Sequence, residues 1–413
     1  MWWRFARLVM PLVAAFALLP SGAMAQLGAL PQVNLPPVGP TVGGALETTT
    51  REVGALDRRT QRLVDQLARE RLRDIDRLVR RNADRIEQDT SGAPARRGEL
   101  LAMALTDGQQ ATLERAGFRV LGTERIEDLS LSVTRLSTPE GLNLADAQAV
   151  VSSLAPDASI TPDHLYFQAG AASATLAISM QGTASISTPV GVIDGGPSSA
   201  VPVTDRKGFA NGAPMASNHG TAVAGLLREA GVRTIYAADV YGNDPAGGNA
   251  LAIAKALGWT VGRGSKVVTI SLVGPRNPVL EGAIRAAQRR GATVVAAVGN
   301  DGPAAPPAFP ASYDGVIAVT AVDRRNRALI EAGRALHLDY AAPGADFHGL
   351  DARGKRIKLR GTSYAAPLVT ARIAAHGAGN WRSKLDREAR DLGAKGPDST
   401  YGRGLVCERC VAR

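Results

Sequence analysis

Several features are scarce in this chain of 413 residues. It has two Cys residues, which excludes a disulfide-dense scaffold and any metal site built from four Cys ligands. Only seven of its 48 basic residues are Lys. The net charge is +10, but acidic residues interleave with Arg almost everywhere, so we expect no nucleic-acid partner. With 45% hydrophobic and 21% charged residues, the composition excludes disorder throughout the chain.

Long hydrophobic runs are also rare. The apolar run at residues 8–19 follows Arg4 and Arg7 and precedes a small-x-small pattern at residues 23–25. This arrangement predicts a secretory signal peptide over residues 1–25 and a secreted or periplasmic protein. The run is shorter than the roughly 20 residues that span a bilayer, so we expect no transmembrane segment.

Two segments of different composition lie between residue 26 and the domain that begins at residue 98. Residues 26–50 are rich in Pro and Gly and predict a linker. Residues 51–90 alternate charges, with apolar residues near a 3.6-residue period, and predict an Arg-rich amphipathic helix. Such a helix could lie on an anionic membrane, pair with another helix, or dock on the neighbouring domain with its other faces in solvent.

The next segment, residues 98–168, predicts a small α+β domain. Its strand and helix patterns follow the order β-α-β-β-α-β, the split βαβ arrangement, with a last short strand at residues 164–167. Residues 169–187 are rich in Gly, Ala, Ser and Thr and predict an exposed connector that is accessible to proteolysis.

Residues 188–400 predict an α/β domain. Near-continuous apolar strands alternate with helical stretches, which indicates a mostly parallel sheet covered by helices on both faces. Functional residues in such sheets gather at the carboxyl ends of the strands. The predicted strands are 190–193, 232–240, 266–272, 292–298 and 316–322, and the helices are 219–230, 249–259 and 278–290.

Three short motifs in this domain carry chemistry in the order Asp, His, Ser. Asp194 ends a strand before a Gly pair, His219 opens an apolar helix, and Ser363 opens an Ala-rich helix. Taken singly, each has a plain structural explanation: a turn, a helix-terminal His, and a helix cap. Their joint order favours a nucleophilic site, because a Ser hydroxyl needs an adjacent base and a His base needs an orienting acid.

A fourth element fits the same chemistry. Asn300 follows a buried strand, where its amide can donate a hydrogen bond to a developing oxyanion. The alternative is an ordinary Asn-Gly turn.

With these motifs, residues 188 to about 400 resemble the subtilisin-like serine proteases, or subtilases. The resemblance implies a catalytic triad of Asp194, His219 and Ser363, with Asn300 in the oxyanion hole. It also implies that one segment lines the substrate cleft and pairs with the peptide backbone; its residues are Ser271, Leu272, Val273 and Gly274. The expected activity is peptide-bond hydrolysis through an acyl-enzyme, with protein or peptide substrates and a monomeric enzyme.

The resemblance has one departure and one open point. The first motif reads Asp-Gly-Gly, where Asp-Ser-Gly or Asp-Thr-Gly is usual in the family, so a hydroxyl beside the acid is lost. Many relatives bind calcium in surface loops, but no calcium site is carried over to this compact domain, and we expect no cofactor.

The small domain at residues 98–168 resembles the inhibitory propeptide of the same family. Its last strand would lie in the cleft as an extended peptide, and self-cleavage would follow within residues 168–188. The alternative is a permanently attached accessory domain.

Two other functions are consistent with parts of the sequence. A non-catalytic exported binding or scaffold protein could retain the fold, and a serine esterase or amidase could use the same triad. Near the end of the chain, the tail at residues 401–413 contains Cys407 and Cys410, for which we expect a local disulfide in an oxidising compartment.

Overall fold

The computed structural model describes residues 40–169, 171–174, 185–377, 379–408 and 410. The predicted signal peptide at 1–25 and the linker up to residue 39 lie outside these residues. Residues from Asp57 onward form one compact unit, and residues before it form another. Among the described helices, none has the length and apolar character needed to cross a membrane.

Helices and strands alternate along most of the described chain. The helices are α1 (Pro40–Arg81), α2 (Asp107–Arg115), α3 (Leu144–Leu154), α4 (Asn218–Glu229), α5 (Ala250–Gly262), α6 (Pro278–Arg289), α7 (Thr362–His376) and α8 (Trp381–Glu388). The first strands are β1 (Ile86–Gln88), β2 (Pro94–Met103), β3 (Arg119–Ile126), β4 (Leu131–Ser137), β5 (Ser159–His164), β6 (Phe167–Gln168) and β7 (Ala171–Ala174). The later strands are β8 (Val190–Asp194), β9 (Asp205–Gly208), β10 (Ile235–Asp239), β11 (Val267–Ile270), β12 (Leu272–Val273), β13 (Thr293–Ala297), β14 (Ile317–Val322), β15 (Tyr340–Pro343), β16 (Ala345–Leu350) and β17 (Arg356–Arg360).

A parallel sheet of seven strands forms the centre of the molecule. Its order is β15-β14-β13-β11-β8-β10-β9. Side chains alternate between its faces: Val295 and Ala297 join the apolar cluster with α4 and α7, whereas Val294 and Ala296 join the cluster with α5 and α6. Burial on both faces explains the continuous apolar strands. The predicted α/β fold, with a mostly parallel sheet between two helical layers, is confirmed.

A smaller antiparallel sheet precedes the large one. Strand β2 is central and pairs with β1, β4 and β5, while β3 pairs with β4. From β2 to β5 the elements follow the predicted order β-α-β-β-α-β. One face carries α2 and α3, and the other contributes Leu101 and Val133 to the apolar cluster of α5 and α6. The small sheet therefore packs on the helical face of the large domain.

The long helix differs from the prediction at both ends. The helix includes residues from Pro40 onward, inside the predicted linker of 26–50. It ends at Arg81 instead of residue 90, because the chain turns at Asn82 and then forms β1 against β2. Between residues 60 and 81, Ile75 is buried and Leu67 and Arg71 on the same face are half-buried, so the helix docks on its neighbour.

Three other boundaries also differ. The last strand of the small sheet is β5, which ends at His164, and the residues that follow pair with the large domain as β6. The connector predicted at 169–187 contains β7, which pairs with β17. The large domain continues past residue 400, because Leu405 is buried, lies opposite Ala341 in a parallel bridge and exchanges backbone hydrogen bonds with Arg390. Cys407 and Cys410 form the expected local disulfide.

Candidate active site

Asp194 is the last residue of β8, at the carboxyl edge of the large sheet. Its side chain is fully buried. The backbone N–H of Gly195 donates to Oδ1 at 2.7 Å. A buried carboxylate requires such donors, because burial without them costs several kcal/mol.

His219 lies at the start of α4, beside this carboxylate. Ser217 caps the helix by accepting a hydrogen bond from the N–H of Gly220, which fixes the first turn. Nδ1 of His219 is 2.9 Å from both carboxylate oxygens of Asp194. Because a carboxylate only accepts, Nδ1 carries the proton, and Nε2 is left to accept one.

Ser363 lies at the start of α7 and completes the arrangement. Its Oγ is 2.9 Å from Nε2 of His219, so the hydroxyl can donate to the imidazole. The hydroxyl of Ser271 donates to the carbonyl of Ser363 at 2.9 Å, which holds the first turn of α7 in place. The structure thus brings together the three side chains that the sequence placed in separate motifs.

Asn300 follows β13 at the same edge. Its Oδ1 accepts a hydrogen bond from the N–H of Thr362 at 3.0 Å. The Thr362 hydroxyl in turn donates to the carbonyl of Gly299 at 3.1 Å. These bonds orient the amide so that its NH₂ group points away from Thr362 and is the group left to donate.

The predicted cleft segment contacts the chain that leaves the small sheet. Within Ser271–Gly274, Leu272 and Val273 pair antiparallel with Gln168 and Phe167. Ala169 then donates its N–H to the carbonyl of Ser271 at 3.3 Å. The carbonyl of Ala169 accepts the backbone N–H of Ser363 at 3.0 Å. Residues 167–169 therefore lie extended along the predicted cleft segment, and the carbonyl of Ala169 reaches the Ser363 amide.

Sequence reasoning missed several residues of this site. Gln168 donates from its side chain to Oδ1 of Asp194 at 3.3 Å, and no local pattern marks it. Thr362 orients Asn300, and its place beside Ser363 was the only available signal. Tyr364 stacks 5.3 Å from the His219 ring, and burial together with the Asp194 carboxylate raises the pKa of its hydroxyl.

Comparison with known proteins identifies the family of the chain. A family model described as the subtilase family (Peptidase S8) matches residues 150–404, more than half of the chain. The chain belongs to the subtilase family. It is a serine-type endopeptidase and acts on protein substrates, so the resemblance and the enzyme class predicted from the motifs are confirmed.

Individual subtilases match most of their length to this chain. Subtilisin DY of Bacillus licheniformis is 31% identical over 265 residues, which are 57% of this chain and 94% of that protein. Subtilisin BL of Lederbergia lenta is 33% identical over 247 residues, which are 54% of this chain and 90% of that protein.

Among solved structures, fervidolysin from Fervidobacterium pennivorans, a keratinolytic enzyme related to subtilisin, is similar in fold. The TM-score is 0.62 at 17% identity, over 76% of this subtilase and 61% of fervidolysin. The chain therefore spans less than two thirds of fervidolysin, and the likeness concerns the fold.

The unusual Gly195 and the expected lack of a calcium site can both be compared with the structure. Gly195, the unusual residue of the first motif, lies against Ser217, whose hydroxyl is close to where a side chain at 195 would begin. Within the described residues, no three His, Cys, Asp or Glu side chains are grouped to hold a metal ion, so none is assigned to calcium.

Proposed function

We propose that this chain is an exported serine endopeptidase, made as a precursor that cuts itself after Ala169. Asp194, His219 and Ser363 are its triad. The observation that carries the proposal is that two groups of Ser363 contact two other segments of the same chain. The Ser363 hydroxyl faces the imidazole, and the Ser363 amide donates to the Ala169 carbonyl.

The geometry supports acyl transfer by general base catalysis. His219 accepts the hydroxyl proton at Nε2 as Ser363 Oγ attacks the carbonyl carbon, and then gives that proton to the leaving amine. Asp194 stabilises the imidazolium and holds its tautomer. Water repeats the same sequence on the acyl-enzyme and releases the acid.

Two donors serve the oxyanion of the tetrahedral intermediate. One is the backbone N–H of Ser363 at the start of α7, where the helix dipole also favours negative charge. The other is the NH₂ group of Asn300, which its bond to Thr362 orients. Loss of one such donor typically costs roughly 2.7–4 kcal/mol of transition-state stabilisation.

The position of the self-processing bond follows from the strand pairing of the segments on either side of it. Before it, Phe167 and Gln168 form β6 with β12 in the cleft. After it, Ala171–Ala174 form β7 against β17. Because Ala169 places its carbonyl on the Ser363 amide, the bond from Ala169 to Gly170 is the one presented to the nucleophile, within the predicted range of 168–188.

The small sheet then acts as an intramolecular inhibitor. It packs on α5 and α6 through apolar residues and fills the cleft with its own tail. Polar contacts add to this interface: Arg96 pairs with Asp244, and Glu124 pairs with Lys255. Export follows from the predicted signal peptide, and the product is a monomer in solution.

The proposal predicts a sharp effect of Ser363→Ala. Removing a triad residue lowers kcat about 10⁴- to 10⁶-fold in subtilisins, so the variant should stay uncut and inactive on casein while remaining folded. Intact mass and N-terminal sequencing should show that the wild-type mature chain begins at Gly170. Ser152→Ala, on the exposed face of α3, is the matched control and should process normally. Processing of Ser363→Ala at the wild-type rate would refute the assignment.

A further inference from the structure

Helix α1 contacts the large domain at two separate places. Near its carboxyl end, Leu78 and Val79 pack on an apolar cluster that includes Leu165 and Ala246. Ala246 belongs to the large domain and lies just before α5, whereas Leu165 belongs to the segment that leads into the cleft. This end of the helix therefore rests on the cleft-bound chain and on the large domain beside it.

The second contact is with the loop that follows β13. Nε of Arg71 donates to Oδ2 of Asp301 at 3.1 Å. Leu67 lies over Gly302, where its Cδ1 is 3.2 Å from the position that a Cβ atom would take. Both residues of this loop directly follow Asn300 in the chain. The helix is therefore bound to the large domain through an ion pair and an apolar contact beside the expected oxyanion donor.

These two contacts lie on opposite sides of the cleft-bound chain. On one side, Leu165 forms a bridge with Asn249 at the start of α5. On the other side, β6 pairs with β12, and Val273 of β12 lies against Gly299. The order across the cleft is therefore the segment before α5, the cleft-bound chain, β12, and then the loop that carries Asn300. Helix α1 touches the first and the last of these.

The helix is long enough to reach from one side to the other. Leu67 and Leu78 are 11 residues apart in α1, which at about 1.5 Å per residue is about 17 Å along its axis. Neighbouring strands lie about 4.8 Å apart, so three steps across the cleft need about 14 Å. Between the two contacts, Ile75 is buried. The contacts and the length together indicate a helix that crosses over the cleft-bound chain.

We propose that α1 is a strap that holds the cut pro-region, the chain up to Ala169, on the enzyme, and that its Arg71 and Leu67 contacts delay the onset of activity after self-cleavage. The inference rests on the proposed function, because it concerns the complex that self-cleavage leaves behind. The strap leaves the cleft itself to β6, but it must detach before β6 can dissociate. Both of its contacts with the loop are partly in solvent, so each is weak and can be released first.

The test follows cleavage and activity in the same refolding precursor. The chain without its predicted signal peptide is refolded by dilution; intact mass measures cleavage, and hydrolysis of a fluorogenic peptide measures free enzyme. In the wild type we expect activity to appear after cleavage, with a measurable lag. Arg71→Glu should shorten this lag about tenfold and leave the cleavage rate unchanged, because it replaces attraction to Asp301 by repulsion. Leu67→Ala should shorten the lag about threefold through the lost apolar contact.

Two exposed positions of the same helix supply matched controls. Arg73→Glu makes the same charge change and Leu72→Ala the same truncation, and each should change the lag by less than about twofold. A double-mutant cycle then checks the partner of Arg71. Arg71→Gln and Asp301→Asn should each shorten the lag about threefold, and the double variant should shorten it no more than either alone.

Three results would overturn the inference: a wild type without a lag, equal lags for Arg71→Glu and Arg73→Glu, or slower cleavage in Arg71→Glu with an unchanged lag. The last result would show that the contact serves folding and has no part in release. In each of these cases, cleavage that depends on Ser363 would still support the proposed function. Absence of such cleavage would remove both.

Discussion

Gly195 shows how one residue can depart from a motif while the site keeps its chemistry. A Cβ atom at this position would lie 2.3 Å from Oγ and 2.9 Å from Cβ of Ser217. Ser217 caps α4, so it cannot move aside without releasing the helix that carries His219. The missing side chain at 195 and the cap at 217 are therefore coupled, because the site has no room for both side chains.

This coupling predicts a non-additive effect. Gly195→Ser should lower the free energy of unfolding of the inactive Ser363→Ala precursor by about 2 kcal/mol, because the new side chain overfills the site. Adding Ser217→Gly should recover most of that loss, since Gly is tolerated at an N-cap. Urea unfolding measures both.

The control for this pair is Gly108→Ser, an exposed position where a Cβ meets no atom within 4 Å. It should change stability by less than about 1 kcal/mol. Additive losses from Gly195→Ser and Ser217→Gly would contradict the coupling.

At this scale, local sequence reveals some residues and hides others. Asp194, His219 and Ser363 were predictable because each chemistry-bearing side chain sits in a short motif at the end of a strand or the start of a helix. Gln168 was not, because its role arises from where the segment lies across another domain. The catalytic roles of the three residues remain predictions, and the Ser363→Ala experiment tests them.

Among the elements, helices were predicted better than the strands at the edges. The apolar period correctly predicted α4, α5 and α6 to within a few residues. The long helix α1 was predicted too, but its bounds were wrong, because it includes residues of the predicted linker and the turn at Asn82 ends it before residue 90. Strand β17 was missed, because its short alternation of charged and apolar residues gave no sign that it pairs with residues 171–174.

Helix α1 also reaches the loop that carries Asn300. Arg71 pairs with Asp301 at 3.1 Å, next to Asn300. Leu67 lies on Gly302, with its Cδ1 3.2 Å from where a Cβ would be. Burial raises the pKa of the Asp301 carboxyl, and Arg71 opposes that shift. The helix therefore packs against the loop that carries Asn300.

The junction of β5 with α5 gives a pH-dependent prediction. The carboxyl of Asp163 is buried and accepts the N–H of Leu251 at 3.1 Å. Burial, assisted by the charge of Glu99, raises its pKa from 3.8 to about 7. Because the pKa is higher in the folded chain, Asp163 favours folding fully below about pH 4, and this contribution is lost as the pH rises to about 7.

Asp163→Asn should therefore stabilise the Ser363→Ala precursor at pH 8 by up to about 4 kcal/mol and leave it nearly unchanged at pH 4. Urea unfolding across this range measures the difference. Asp157→Asn, at an exposed position, is the control and should have little effect at either pH. A stability difference that does not vary with pH would show that ionisation of Asp163 is not involved.

On the scale of the whole molecule, a segment of the chain lies across its own triad residues. The small sheet docks on one helical layer, and its tail crosses the edge where β8, β13, α4 and α7 present their ends. Alternation of apolar strands and helices predicted the large domain, because burial on both faces leaves a strong signal in sequence. The resemblance to the propeptide predicted that the last strand of the small domain would lie in the cleft, but local periodicity did not reveal which faces of the two domains pack together.

The most direct test of the account is the covalent labelling of the nucleophile. The processed enzyme is treated with a fluorophosphonate, whose phosphorus is attacked by an activated serine with loss of fluoride, and the adduct is located by peptide mass mapping. The account predicts one adduct, on Ser363. An active enzyme that carries the label on another serine, or on none, would contradict it.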